Sequence, residues 1–449
     1  MKLQVLNKFL WLLLIAPLLL LIPQSSKAYS ILTHEAIIDA SWEKSLLPLL
    51  KKKYPQATAA DLKVAHSYAY GGSLMTDIGY SPYGSVYFTN LIHYVRTGDF
   101  VENLLSEAEN LNEYAYAVGA LCHYMADAYG HSIGTNYVVP MIYPKVRAKY
   151  GNIVNYEQNP EAHSRVEIAF DVLQLARGNY ASQAFHDMIG FNVAIPVLER
   201  AFFKTYGQDI NDVFGNIDHS VSDFRWAVNS LMPTVTRSAW VLKKKEIREM
   251  QPGITASKFH YKMERKKYYQ EYGNDFDQPK FKERMIAFLI TIAPKVGPLR
   301  TFRFKEVGPE GEKQFIKSFD TVMVRYADAL NKLGSGKINL PNVNFDTGKL
   351  TTPEEYDLAD KTYGQMMVKL QENKFSYVTS PLKQDVIAFY SKADTAVIDK
   401  KDASGWKKTS IALQQIKLAQ PITPDSLRSA EVLQELKRVT KKSGGTSVK

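Results

Sequence analysis

Apolar positions along the chain recur at intervals of three and four residues, the spacing of one face of a helix. Residues 34–60 carry Ala36, Ile37, Ala40 and Leu46 in this register, with Thr33 as the predicted cap. The longest run covers 101–132, where Leu104, Leu105, Ala108, Leu111, Tyr114, Ala115, Val118, Leu121 and Cys122 repeat at helical spacing. Residues 163–177, 192–207 and 220–249 read the same way, the last interrupted or kinked at Pro233. Beyond residue 250 the pattern stays helical. There Thr352-Pro353-Glu354-Glu355 reads as a capping box with proline in its first turn, and Ser380-Pro381 and Thr423-Pro424 repeat the cap-proline device. Loops are marked by Gln251-Pro252-Gly253, by the stretch from Gly334 to Gly348 and by Gln420-Pro421. With no strong alternating run and no fixed repeat, the fold class is all-α: a helical bundle followed by a mainly helical C-terminal region, with a boundary near 240–260 and a disordered tail over 441–449.

The first 28 residues depart from this pattern. Lys2 and Lys8 precede the uncharged, leucine-rich stretch 9–22, and Ser26-Lys27-Ala28 supplies a small-x-small cleavage site. A spanning helix needs about 17–25 apolar residues, and Pro17 interrupts this shorter one. A cleaved signal peptide is therefore expected over 1–28, giving a mature N-terminus at Tyr29 and a secreted or periplasmic location. The only cysteine, Cys122, cannot form an intramolecular disulfide and reads as a small core residue. An exported chain of this kind must be held by packing or by metal.

Composition excludes several classes. The chain has 449 residues, 45% hydrophobic and 23% charged, which rules out a disordered, collagen-like or polytopic membrane protein. Its net charge of +10 is unevenly placed: +3 in 1–28, −6 in 29–240 and +13 in 241–449. An acidic half rich in histidine suits cation binding. The basic half is either a solvated lysine-rich surface or a face for anionic lipid or nucleic acid.

The candidate chemistry sits in the acidic half. His123, Asp127 and His131 fall at i, i+4 and i+8 on the long predicted helix, where each four-residue step turns by only about 40°. The three side chains thus form one stripe, with neighbours about 5–6 Å apart, close enough to share a metal ion. His163 and Glu167 repeat the i, i+4 device, and His34, Asp77 and His93 stand upstream. Each alone has an ordinary explanation as a satisfied core residue or a helix-surface hydrogen bond. Five histidines and three acids together point to a multi-metal site.

The order His34, Asp77, His93, His123-x-x-x-Asp127-x-x-x-His131, His163-x-x-x-Glu167 resembles the zinc-dependent phospholipase C superfamily, which includes single-strand-specific zinc nucleases. The wording Ala-Asp-Ala-Tyr-Gly-His-Ser-Ile-Gly, followed by Glu-Ala-His-Ser, is closest to the catalytic domain of glycosylphosphatidylinositol-specific phospholipase D. The resemblance covers roughly residues 29–200 and implies an all-helical catalytic domain, taken here as 29–245, with up to three zinc ions. It implies that Tyr29 binds zinc through its α-amino group and carbonyl, with His34 alongside and Asp127 bridging. Asp77, His93, His123 and Asp127 would hold a second ion, and His131, His163 and Glu167 a third. His66, His186, His219 and His260 match no family position and read as structural or surface groups. Tyr29 stands where the family usually has tryptophan, and His131 follows Asp127 by four residues rather than six.

A phosphodiester repels hydroxide, so its hydrolysis needs a neutralising clamp and an activated water, both of which zinc pairs supply. Asp77 is the candidate for orienting or deprotonating that water besides ligating. Structural zinc sites are normally closed by four protein ligands, whereas His131, His163 and Glu167 make three, which favours catalysis. The leading expectation is an exported phosphodiesterase acting on phospholipid in phospholipase C manner, with peripheral contact to anionic membrane. The alternatives are a single-strand nuclease, with nucleic acid as substrate along the basic half, and a non-catalytic, zinc-stabilised helical binding protein. The aromatic and basic stretch from Tyr137 to Tyr156 is either a pocket wall, a lipid-facing loop or an ordinary insertion. Residues 246–440 form a basic, mainly helical region of unassigned role. N-terminal sequencing of the exported chain should begin at Tyr29; a chain retaining residues 1–28 would remove the α-amino ligand.

Overall fold

The computed structural model describes residues 31–81, 84–176, 191–250, 252–256, 305, 307–423 and 426–430. The expected signal peptide, Tyr29, His186, His260 and the expected tail lie outside these residues. The architecture is all-α, and the one β feature among the described residues is an isolated bridge between Val343 and Leu350. No helix among the described residues is long and apolar enough to cross a membrane.

The predicted helix 34–60 is three pieces. Helix α1 (Ile31–Ser41) contains Thr33 rather than being capped by it, and the Thr33 hydroxyl donates to Asp171 at 2.7 Å. A π-turn, Trp42–Leu46, then leads into α2 (Leu47–Lys53), which carries Pro48 in its first turn. Proline lacks an N–H and crowds the preceding turn, and the wider π-turn accommodates it. Helix α2 ends at Tyr54, before Pro55, as the restriction on residues preceding proline requires. Helix α3 (Ala59–Met75) begins afresh with a capping box between Thr58 and Asp61.

The long run 101–132 also divides. Helices α4 (Val86–Tyr94) and α5 (Thr97–Glu107) precede α6 (Leu111–Gly130), whose N-cap Asn110 accepts from the Glu113 N–H at 3.0 Å. The local cap outcompetes continuation of the apolar periodicity. A second π-turn, His131–Thr135, follows directly, then α7 (Asn136–Ile142), α8 (Pro144–Tyr150) and α9 (Pro160–Ala176). Helices α10 (Ile195–Tyr206) and α11 (Ile210–Phe214) lead to α12 (Ile217–Met250), one helix that runs through Pro233.

Helix α13 (Gly308–Gly334) returns to the same core. Its Phe315 stacks on Phe170 of α9 at 4.2 Å, and its Tyr326 donates to the Val118 carbonyl of α6 at 3.0 Å. Burying an aromatic side chain of this size contributes about 1.5–3 kcal/mol. The chain then forms a loop before α14 (Asp357–Glu372), α15 (Ser380–Ser391), α16 (Thr395–Lys401) and α17 (Ala403–Leu418). The Thr352-Pro353 signal therefore marks a turn and not a helix start. Glu354 takes a positive φ of 71°, and its N–H bonds the Asp360 carboxylate. The cap of α15 is Thr379, one residue before the predicted Ser380, while the Thr423 hydroxyl accepts from the Ser426 N–H.

Helices α3 and α6 form the spine, packed backbone to backbone. A Cβ on Gly72 would lie 1.9 Å from the Tyr116 carbonyl oxygen, and one on Gly119 would lie 2.0 Å from that of Ala69. No side chain fits at either position without separating the pair. This approach brings the Ser73 carbonyl within 2.8 Å of His123 Nδ1. Gly72→Ala should therefore destabilise the protein by about 1–3 kcal/mol in urea denaturation. An unchanged midpoint would show that the crossing has slack.

Candidate metal centre

Four segments converge at one end of the α3–α6 spine. His34 comes from α1, Asp77 from the turn after α3, His93 from α4, and His123 and Asp127 from α6. The Asp77 turn is clamped to α4 by Thr89, whose hydroxyl donates to the Thr76 carbonyl at 2.7 Å and accepts from the Gly79 N–H at 2.9 Å. Asp127 lies at the junction. Its Oδ1 is 3.5 Å from His34 Nε2, and its Oδ2 is 3.4 Å from His93 Nε2 and 3.1 Å from His123 Nε2. Asp77 Oδ1 lies 3.4 Å from His93 Nε2. One turn further, His131 Nε2 and His163 Nδ1 face Glu167 Oε1 at 3.9 and 3.5 Å. All eight side chains are buried, none more than 4% exposed.

These separations match a shared cation better than direct hydrogen bonds. Two donors about 2.0–2.1 Å from one tetrahedral zinc stand roughly 3.3–3.4 Å apart. Asp77 Oδ1, His93 Nε2, His123 Nε2, both Asp127 oxygens, His131 Nε2, His163 Nδ1 and both Glu167 oxygens have no hydrogen-bond partner among the described residues. Buried polar atoms are nearly always paired, so nine orphans pointing inward together require a ligand. The rear nitrogens are anchored: His93 Nδ1–H donates to the Thr89 carbonyl, His123 Nδ1–H to that of Ser73 and His163 Nε2–H to that of Val154. The residues fit zinc in donor type, spacing and orientation. Residues 33–216 match the family model described as zinc dependent phospholipase C.

Over these residues, less than half of the chain, the sequence is similar to zinc dependent phospholipase C. No curated protein and no solved structure matches the chain. All eight described candidates fall inside the matched region of the phospholipase C domain. Two sets, His34 with His123 and Asp127, and Asp77 with His93 and His123, each bring donor atoms within 4.8 Å of one another. His131 and His163 form a third set, whose third member, and only acid, is Asp346. Asp346 comes from the loop before α14, outside the family match, and the histidine and acid spacings gave no sign of it. Its signal is the turn sequence Asn344-Phe345-Asp346-Thr347-Gly348, in which the Asn344 carboxamide accepts from the N–H groups of Asp346 and Thr347.

The electrostatics show a cluster built for added positive charge. Burial, then the like-charged His123, pulls His34 down to about 4, and burial likewise holds His163 at about 4. Both imidazoles are therefore neutral near pH 7 and offer lone pairs. Burial also works to lower His93, but the carboxylates of Asp127 and Asp77 raise it to about 9. Burial would raise Asp127, yet the imidazoles of His123 and His93 hold it well below the usual carboxylate range. Glu167 is pushed well above that range, first by burial and then by Asp127, Asp77 and Asp346.

The remaining candidates are structural. His66 bonds Asp39 at 2.9 Å and stacks on Trp42 at 3.7 Å, His219 pairs with Asp223, and Cys122 is buried with a raised thiol pKa, first from burial. The aromatic stretch after His131 folds as α7 and α8, and Tyr156 packs edge-on against His163 at 6.1 Å. Removing zinc with a chelator should lower the melting temperature by about 5–10 °C, reversibly on zinc addition. An unchanged transition in protein shown to have lost its metal would refute a stabilising site.

Proposed function

We propose that the protein is an exported zinc phosphodiesterase that hydrolyses phospholipids in phospholipase C manner. The observation carrying this reading is that nine buried donor atoms without a hydrogen-bond partner among the described residues converge within the region that matches the family. Their grouping supports three ions: one at His34 and Asp127, with Tyr29 as the added N-terminal ligand; one at Asp77, His93, His123 and Asp127; one at His131, His163 and Glu167. Zinc, when bound, supplies the positive charge that neutralises a phosphodiester and acidifies water near it. Asp127 turns Oδ1 to His34 and Oδ2 to His93 and His123, so it would contribute a ligand to both of the first two groups. We infer that Asp77, whose turn Thr89 clamps to α4, orients the attacking water and accepts its proton besides ligating. His131, His163 and Glu167 would hold an ion whose positive charge could stabilise the departing alkoxide.

The test is a phosphorus NMR time course on protein beginning at Tyr29, with zinc, mixed phospholipid vesicles and single-stranded RNA. A soluble phosphomonoester of the head group is the expected product. Phosphatidic acid would indicate D-type cleavage, mononucleotides would establish a nuclease, and silence with zinc bound would overturn the phosphodiesterase reading. Asp77→Asn should abolish turnover while keeping most of the zinc; full activity in that variant would refute its role.

A further inference from the structure

His131 differs from its neighbours in what stands behind it. His93, His123 and His163 turn their rear N–H to backbone carbonyls, whereas His131 Nδ1 meets the Asp346 carboxylate at 2.6 Å. Asp346 is buried, and both of its oxygens are engaged. Oδ1 accepts from His131, and Oδ2 accepts from the Tyr156 N–H and the Tyr356 hydroxyl, each at 2.8 Å. Glu167, by contrast, has two oxygens without a hydrogen-bond partner among the described residues, on the other side of the His131 ring. Glu167 thus faces the position where a metal sits, and Asp346 faces away from it.

The loop that delivers Asp346 is fixed to the domain along its length. The Phe345 N–H donates to the carbonyl of His93, the Thr97 hydroxyl donates to the Val343 carbonyl, and the Asn136 carboxamide donates to the Asp346 carbonyl. Gly348 adopts a φ of +68°, and a Cβ there would stand 2.5 Å from the Ala128 carbonyl oxygen of α6. The loop is therefore a wall of the site.

We propose that Asp346, which lies beyond the family-matched region, is a positioning residue for the third metal site, locking His131 with Nε2 toward the ion and making that imidazole a stronger donor. The proposal rests on the zinc reading above. A carboxylate behind a ligating histidine fixes its tautomer and ring orientation, and losing it typically costs about 10–100-fold in metal affinity. A set of two histidines and one acid depends on such support more than the Asp127 pair, which shares ligands.

The test is competition of the full mature chain with a chromophoric chelator, resolving the zinc ions in turn. Asp346→Asn should weaken one ion by about 10–100-fold and leave the others unchanged. Tyr356→Phe, which removes one bond to Asp346, should weaken the same ion less. Wild-type affinity for every ion in Asp346→Asn, or equal weakening of all of them, would overturn the proposal. If Asp346→Asn fails to fold, the zinc-loaded wild type decides through its ¹⁵N imidazole spectrum. A slowly exchanging Nδ1 proton on His131 supports the proposal, and its absence overturns it. Failure of the wild type to bind any zinc would overturn the metal reading itself, an outcome distinct from the previous ones.

Discussion

Ionised carboxylates have no stable place in a dry protein core unless positive charge or hydrogen bonds meet them. This chain places Asp77, Asp127 and Glu167 there together, among five buried imidazoles. The protein's own groups answer the demand unevenly: Asp127 is held ionised by its histidines, whereas Glu167 is pushed toward its neutral form. Zinc bound among them would meet that imbalance, and metal affinity and folding would then be linked, which matters in a chain whose single cysteine can form no internal disulfide.

The helices are arranged to serve that cluster. Gly72 and Gly119 let α3 and α6 touch, and this contact gives His123 its backbone acceptor. Asp171 of α9 holds the start of α1 through the Leu32 N–H and the Thr33 hydroxyl, which fixes His34 one residue later. The π-turn at His131–Thr135 follows the His123 and Asp127 helix without a break and turns the next histidine toward α9. Such turns concentrate at functional sites because they re-aim one side chain at small cost to the helix.

The region beyond residue 300 is joined to the same structure. Helix α13 shares the core with α6 and α9, and the loop before α14 closes over the cluster from the other side. Phe345 packs edge-on against His93 at 5.3 Å and tilted on His123 at 5.9 Å, while its neighbour Asp346 backs His131. The family-matched residues 33–216 alone would lack both contacts.

Helical periodicity determined the all-α class, and the i, i+4 spacings of His123, Asp127 and His131 and of His163 and Glu167 located the cluster, because both signals are carried by residues close in sequence. Helix ends were less legible. Pro48, Thr58 and Asn110 divide runs whose apolar spacing is continuous, since a cap or a missing N–H acts at one residue while periodicity is averaged over many. Thr352-Pro353 looked like a helix start and became a turn, because Glu354 bonds Asp360 and Tyr356 bonds Asp346, partners six and ten positions away that a cap signal read over four residues does not register. Asp346 was invisible for the same reason: 215 positions separate it from His131, and only tertiary packing brings carboxylate and imidazole together. Local chemistry named the residues of the buried cluster; the fold alone chose what stands behind them.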